Sequence, residues 1–318
     1  MGLLIDGTWQ TENHFPTGEK GEFQRRPTTF RKTIEADPDS EHPAAAGRYH
    51  LYVSYACPWA HRTLIVRRLR GLEDAISVSV VDPFMGEEGW HFSDRGIRDP
   101  IHGAELLRDV YLAADPKLTA RVTVPILWDK QAGTIVNNES TEIIRMLNQA
   151  FGEGLAAHPE VDLWPEGLRD ESDRLREFMY EHFNNGVYRA GFARTQEAYE
   201  EAVVQVFDVL DAFEEILGRQ RYLASDQRIT EADLCAFTTL LRFDPVYHGH
   251  FKCNLRRVID YPNVFGYLRD LYQTPGFTET CHMDHIKEHY YRSHGAVNPT
   301  RIVPLGPDQD LLAPHGRG

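Results

Sequence analysis

The chain has 318 residues, 42% of them apolar and 26% charged, which fits a globular protein of about two domains and excludes global disorder. Its formal net charge of −14 disfavours nucleic acid and anionic membranes as partners, because both would repel the molecule. No stretch approaches the roughly 20 apolar residues that span a bilayer, and four scattered cysteines without a CxxC pair indicate a reducing compartment, so we predict a cytoplasmic protein.

The first elements along the chain are an extension, a strand and a helix. Residues 1–46 are rich in glycine, proline, threonine and charge, which predicts a surface extension with at most short strands. A β-branched and aromatic run predicts a strand over 49–53. Apolar residues at helical spacing predict a helix over 60–72, with Pro58 suited to its first turn and Gly71 marking its end. Residues 75–81 alternate as a buried strand does.

The next region predicts an insertion and then two further strands and a helix. Residues 82–120 indicate loops and a short helix. A strand over 122–128 is entered through Pro125, a second strand covers 134–136, and a helix covers 140–148. This order is typical of a thioredoxin-like α/β domain, which we place at 47–150. A domain of this kind has a cis proline at the corresponding position, so we expect the bond before Pro125 to be cis.

The second half of the chain is predicted to be mostly helical. Glycine, proline and charge indicate a linker around 151–170, and 168–290 is an all-α domain that would bind substrate, with helices such as 197–217 and 232–243. Residues 230–233 match a capping box. The tail over 291–318 is rich in proline and glycine and predicts irregular structure.

Cys57 is the candidate nucleophile. It lies between a strand and a helix, where the positive end of the helix dipole favours thiolate over thiol. A buried structural cysteine is the alternative, but a strand–Cys–Pro–helix pattern is more specific than a lone cysteine. Ala60 occupies the position of the second cysteine in CxxC, so an outside thiol must resolve any mixed disulfide. Glutathione is the obvious supplier in a reducing cytoplasm.

Glu139 and Ser140 open the helix after the last predicted strand. Ser140 can cap this helix, and the backbone amides there suit the γ-glutamyl carboxylate of glutathione. Glu139 could then hold the γ-glutamyl amino group. A plain helix cap is the alternative interpretation of both residues.

Three histidines lie at helical spacing and could in principle bind a metal: His282, His285 and His289. No acid or cysteine completes a well-spaced ligand set, so a packing or solvated face is favoured and we predict no metal. The other cysteines are not candidates for catalysis, because they lack a close partner or sit in an apolar helix: Cys235, Cys253 and Cys281.

Several long motifs closely resemble those of the glutathionyl-hydroquinone reductases, the xi class of glutathione transferases. The longest are YACPWAHR at 55–62, RVTVPILWDK at 121–130 and NESTEIIR at 138–145. Shorter matches occur at 184–188, 242–247 and 284–290. The resemblance runs from about residue 49 to the C-terminus, in the same order, and includes the N-terminal extension. It implies the glutathione-transferase fold, in which a thioredoxin-like domain precedes an all-α domain.

The resemblance also implies roles for individual residues. Cys57 would be the nucleophile, and Trp90 would stack on glutathione. The residues implied to bind the backbone and γ-glutamyl end of glutathione are Arg121, Val122, Thr123, Val124, Glu139 and Ser140. The residues implied to line the hydroquinone pocket and assist proton transfer are Tyr188, Tyr247 and Tyr290.

The activity implied is the reduction of glutathionyl-hydroquinones to hydroquinones through a Cys57–glutathione mixed disulfide, with release of oxidised glutathione. Glutathione would be the co-substrate and the enzyme a homodimer. Two alternatives stay open at this point. One is an omega-like thiol transferase or dehydroascorbate reductase, which the aromatic pocket disfavours. The other is a non-catalytic glutathione-transferase-like binding protein, which predicts an unreactive Cys57.

Overall fold

A computed structural model describes residues 2–11, 17–25 and 27–318, so positions 1, 12–16 and 26 of the predicted extension lie outside the described residues. The chain forms two compact units. The first comprises the described residues of Met1–Phe15, Arg26–Asp162 and Thr280–Ser293. The second comprises those of Pro16–Arg25, Leu163–Glu279 and His294–Gly318. The domain limits expected from the sequence, 47–150 and 168–290, stay a prediction.

The first unit is built on a mixed sheet. The strands are β1 (Leu3–Ile5), β2 (Thr8–Gln10), β3 (Tyr49–Val53), β4 (Ile76–Val80), β5 (Ala120–Arg121), β6 (Ile126–Asp129) and β7 (Thr134–Asn137). The central order is β4-β3-β6-β7, with β3 parallel to β4 and antiparallel to β6. This arrangement agrees with the predicted thioredoxin-like order. A second sheet, β2-β1-β5, joins the start of the extension to Arg121.

Helices follow in both units. They are α1 (Pro58–Leu69), α2 (Leu107–Ala114), α3 (Ser140–Gln149), α4 (Arg169–Met179), α5 (Gly186–Gly191), α6 (Gln196–Leu217), α7 (Glu231–Arg242), α8 (His248–His250), α9 (Pro262–Gln273) and α10 (Met283–Ser293). The first unit contains α1, α2, α3 and α10. In the part of the chain that the structure describes, no helix is both long enough and apolar enough to cross a membrane.

Helix α1 has the predicted start and stop signals. Pro58 is its first residue, where the missing N–H costs no intrahelical hydrogen bond, so the helix begins two residues before the predicted Ala60. Gly71 follows its end with a φ of +60°, a conformation that glycine adopts without strain. The amide of Gly71 donates to the carbonyl oxygen of Arg68 at 3.0 Å, which satisfies one of the last helical acceptors.

The strand predicted over 122–128 is wrong in its first half, because β6 begins only at Ile126. Pro125 has no amide to donate to a strand partner, and the Val124-Pro125 bond is cis, which confirms the expectation for that bond. Thr123 pairs instead with a side chain: the hydroxyl of Tyr111 donates to its carbonyl oxygen at 2.9 Å. Residues 122–124 therefore form an irregular segment just before β6.

The capping box predicted at 230–233 is confirmed. Thr230 is the N-cap of α7, and its amide donates to the carboxylate of Asp233 at 2.8 Å. The same carboxylate accepts from the amide of Leu223 at 2.9 Å and the hydroxyl of Tyr267 at 2.7 Å. Cys235, on the same helix, is fully buried, as expected for a core residue. Asp233 thus holds three parts of the second unit together.

Asp129, at the end of β6, anchors the extension. Its buried carboxylate accepts from Arg48 at 2.9 Å and lies 2.9 Å from Nδ1 of His42. Burial by itself raises the pKa of Asp129, but these contacts and the amides of Gln131 and Ala132 outweigh burial and hold the pKa at about 2. The carboxylate therefore stays ionised over almost the whole acid range.

The low pKa of Asp129 makes a testable contribution to acid stability. An unfolded aspartate titrates near 3.9, so the stabilisation is fully present above about pH 4 and is lost as pH falls toward about 2. We expect the free energy of unfolding, measured by urea titration from pH 2 to 7, to fall more steeply in this window for the wild type than for Asp129→Asn. Parallel curves for the two proteins would rule out this role.

Candidate active site

Cys57 lies at the amino end of α1. It is the N-cap, with extended backbone dihedrals, and its carbonyl oxygen accepts from the amide of His61 at 2.9 Å. Its own amide donates to the carbonyl oxygen of Ser54 at 3.1 Å, which closes a tight turn after β3. The side chain is only partly buried. The turn therefore places Cys57 at the amino end of α1, although its side chain makes no capping hydrogen bond to the first turn.

The sulfur of Cys57 meets the irregular segment before β6. Its Sγ lies 3.6 Å from the carbonyl oxygen of Val124, the residue before the cis proline. Two separate motifs of the sequence analysis are thus brought together. This contact disfavours ionisation of the thiol, because a carbonyl oxygen favours the protonated form. The amino end of the helix has the opposite effect and favours a thiolate.

Tyr111 of α2 holds the segment that contains Val124. Its hydroxyl donates to the carbonyl oxygen of Thr123 and accepts from the amide of Thr123 at 3.2 Å. Asn138, just before α3, donates to the same hydroxyl at 3.2 Å. Burial raises the pKa of Tyr111, so the phenol keeps its proton and donates. Sequence reasoning missed this residue, which connects both segments implied to bind glutathione.

The start of α3 differs from the expectation in one detail. Glu139, not Ser140, is the N-cap: its backbone is extended, and its carboxylate accepts from the amide of Thr141 at 3.4 Å. Ser140 already has helical geometry, so the expected cap at Ser140 is wrong. Its hydroxyl lies 3.4 Å from Nη1 of Arg62, a buried cation on α1. The helix start and this guanidinium together suit a carboxylate ligand.

Trp90 lies in the insertion and is buried, with 6% of its surface exposed. Its indole stacks on the imidazole of His289, with ring centroids 4.7 Å apart and an angle of 21° between the planes. Tyr290, the next residue of α10, is also buried, and its ring centroid is 5.3 Å from that of His289. Trp90, the implied glutathione contact, and Tyr290, an implied hydroquinone contact, therefore both contact the ring of His289.

Tyr188 and Tyr247, the other implied hydroquinone contacts, belong to the second unit. Their ring centroids are 6.0 Å apart, and the guanidinium of Arg25 lies 5.2 Å from the centroid of Tyr188. Nε of Arg25 donates to the side-chain oxygen of Asn185 at 2.9 Å. Arg25 comes from the N-terminal extension, and no signal in the sequence connected it with the tyrosines.

The other two histidines of this set, His282 and His285, pack on an aromatic ring, in agreement with the packing interpretation. His282, just before the helix, stacks on Tyr55 with centroids 3.6 Å apart, and His285 meets the same ring at 5.3 Å. Burial and the neighbouring His285 lower the pKa of His282. Within residues 2–11, 17–25 and 27–318, no group of three or more histidine, cysteine or acidic side chains is placed to hold a metal ion.

The chain is similar to known glutathione transferases in sequence. Residues 56–150 match the family model for the glutathione S-transferase N-terminal domain, and 196–270 match the one for the C-terminal domain. The chain is 52% identical to glutathionyl-hydroquinone reductase YqjG of Escherichia coli, covering 100% of this chain and 98% of the relative. It is 52% identical to glutathionyl-hydroquinone reductase PcpF of Sphingobium chlorophenolicum, covering 98% of each.

The chain is also similar to solved structures of glutathione transferases. A xi-class glutathione transferase from Natrialba magadii superposes with a TM-score of 0.93 at 53% identity, covering 100% of this chain and 96% of the other. The glutathione-bound structure of the E. coli relative superposes with a TM-score of 0.90 at 50% identity, covering 99% of each chain.

Proposed function

Because the chain belongs to the glutathionyl-hydroquinone reductases, the xi class of glutathione transferases, we propose that it reduces glutathionyl-hydroquinones with glutathione as co-substrate. The observation that carries the proposal is the position of Cys57, at the amino end of α1 and 3.6 Å from the carbonyl oxygen of Val124. Ala60 stands where a resolving cysteine would be, so the releasing thiol must come from solution.

In the first step the Cys57 thiolate attacks the sulfur that joins glutathione to the aromatic ring. A sulfur–sulfur bond forms and the carbon–sulfur bond breaks. The electron pair of the broken bond stays with the ring carbon, which takes up a proton and is reduced, while the two sulfurs are oxidised to a disulfide. The free hydroquinone leaves, and Cys57 holds glutathione as a mixed disulfide.

In the second step the thiolate of another glutathione attacks the mixed disulfide. Oxidised glutathione forms, and the Cys57 thiolate is released for the next cycle. The sum is one glutathionyl-hydroquinone and one glutathione converted into one hydroquinone and one oxidised glutathione. Because the first product leaves before the second thiol reacts, the kinetics are ping-pong.

The binding roles follow from the chemistry of the side chains. Carboxylates of glutathione suit Arg121 and the start of α3 with Ser140, while Glu139 suits its amino group. The backbone of 122–124 can pair with the peptide-like part of glutathione, and Trp90 can stack on it. The phenol groups that would pack on the hydroquinone and supply its proton are Tyr188, Tyr247 and Tyr290.

Steady-state kinetics test this function. With a glutathionyl-hydroquinone and glutathione both varied, we expect parallel double-reciprocal lines and one oxidised glutathione for each hydroquinone released. The same enzyme should use dehydroascorbate or a small glutathione mixed disulfide with kcat/KM at least about tenfold lower, because neither presents an apolar aromatic ring to bury. A preference for either of them would favour the omega-like transferase activity instead.

We also propose that the enzyme acts in the cytoplasm as a homodimer. All four cysteines lie in the described part of the chain and are thiols rather than disulfides, which suits a reducing compartment. The dimer is carried over by analogy with the family, and light scattering tests it against the 36.5 kDa of one chain.

A further inference from the structure

One imidazole of helix α10, that of His289, makes two contacts with the segment that carries Trp90. His289 stacks on the indole, and its Nδ1 lies 2.9 Å from the carbonyl oxygen of Pro83. A carbonyl oxygen only accepts, so Nδ1 carries a proton and donates. The exposed fraction of His289 is 7%, so water does not compete strongly for either contact. One side chain therefore covers the indole and holds the backbone seven residues before it.

Further contacts fasten α10 to the same segment. The hydroxyl of Ser293 accepts from the amide of Met85 at 3.0 Å. Glu288 forms an ion pair with Arg95 on the other side of Trp90. Residues 83–95 contain no helix or regular strand, so contacts with α10 contribute much of what fixes their position. The placement of Trp90 thus depends on a helix almost 200 residues later in the sequence.

We propose that His289 is a positioning residue for Trp90 and, through it, for bound glutathione. This inference rests on the proposed function, in which Trp90 stacks on glutathione. An indole held in one plane before binding loses less side-chain freedom when the ligand arrives, so affinity rises without any new contact to the ligand. His289 itself need not touch glutathione or the reacting sulfur.

Three substitutions separate the stack from the hydrogen bond. His289→Ala removes both, His289→Phe keeps a flat ring, and His289→Asn keeps a donor near the position of Nδ1. We expect His289→Ala to raise the KM for glutathione roughly 3- to 10-fold while kcat changes less than about twofold. His289→Phe should restore most of the loss. Rescue by His289→Asn but not by His289→Phe would overturn the stacking role.

A double-mutant cycle distinguishes positioning from general support. In a Trp90→Ala background, His289→Ala should have no further effect on glutathione binding, because the ring that it positions is gone. An undiminished effect in that background would overturn the proposal. Asp284→Asn, an exposed change on the same helix, is the matched control and should leave the affinity unchanged. Thermal melts verify that each variant is folded.

Direct binding keeps this test independent of turnover. Glutathione affinity is measured by calorimetry on Cys57→Ser and on the Cys57→Ser, His289→Ala double variant. If the wild type fails to turn over glutathionyl-hydroquinones but the double variant binds glutathione 3- to 10-fold more weakly, the proposed function fails and the positioning role stands. Equal affinities of the two folded variants would overturn the positioning role, whatever the turnover.

Discussion

Replacing Cys57 with alanine is expected to lower turnover of a glutathionyl-hydroquinone at least about 10³-fold, because no other group in the proposed cycle can form the mixed disulfide. Wild-type enzyme incubated with oxidised glutathione should carry one glutathione adduct by mass spectrometry, at Cys57. The alanine variant should carry none. A Cys57→Ser variant that remained active would contradict the nucleophile assignment.

Cys281 offers a matched control for the nucleophile. It is the other partly buried thiol, and its Sγ lies 4.0 Å from Nε2 of His61. Cys281→Ser should keep wild-type turnover and the adduct at Cys57. In this background, alkylation by iodoacetamide at increasing pH reports on Cys57, and we expect a midpoint below the ~8.5 of a free cysteine. A midpoint at or above 8.5 would mean that the carbonyl oxygen of Val124 outweighs the helix amino end.

The second large effect concerns stability, and it is expected for Asp233→Ala. The carboxylate is fully buried and accepts from Thr230, Leu223 and Tyr267. Its removal leaves these buried donors without their acceptor, and each such loss costs about 1–3 kcal/mol. We therefore expect the free energy of unfolding, measured by urea titration, to fall by about 3–5 kcal/mol.

Asp226→Ala is the control for this loss. Asp226 lies a few residues earlier and also accepts from a backbone amide, that of Arg221 at 2.9 Å, but its side chain is exposed. Water can replace the lost acceptor there, so the change should cost less than about 1 kcal/mol. Similar losses for the two variants would show that burial of the Asp233 network is not what stabilises the unit.

Local signals explain which parts of the fold were predictable. The strand over 49–53 coincides with β3, because its β-branched and aromatic residues favour a strand without any long-range information. Pro58 and Gly71 set the ends of α1 through their own backbone restrictions. The capping box at Thr230 depends on residues only three apart. Each of these features is encoded within one turn or one strand.

Two predictions were wrong: the first half of the strand over 122–128 and the helix cap at Ser140. A contact from elsewhere in the chain explains the first, and a shift of one residue in the helix boundary explains the second. Residues 122–124 read as a strand, but Thr123 is bound by Tyr111, which comes from a separate helix. Propensity cannot reveal a tertiary contact that replaces a strand partner. At α3, glutamate and serine are adjacent, and the backbone geometry decides in favour of Glu139 as the cap. Helix boundaries are the least secure part of a pattern-based prediction.

The candidate site was predictable mainly through the family motifs. Cys57 has a physical signal, since Pro58 and the preceding strand define a helix start that favours a thiolate, and Glu139 and Ser140 also stand at a predicted helix start. Trp90 and the three tyrosines implied to line the hydroquinone pocket carry no such signal, because aromatic residues in a folded chain are most often packing residues. The contacts of Tyr111 and His289 could not be predicted, because their partners come from separate elements of the chain.

The contacts of α10 have a consequence for how the protein is made. The first unit includes Thr280–Ser293, so its last helix is synthesised only after the whole of 163–279. A nascent chain usually folds its amino-terminal domain before the rest of the chain emerges from the ribosome. Here the first unit cannot finish folding at that stage. Until translation passes residue 293, the rings of Tyr55 and Trp90 lack their packing contacts with His282 and His289.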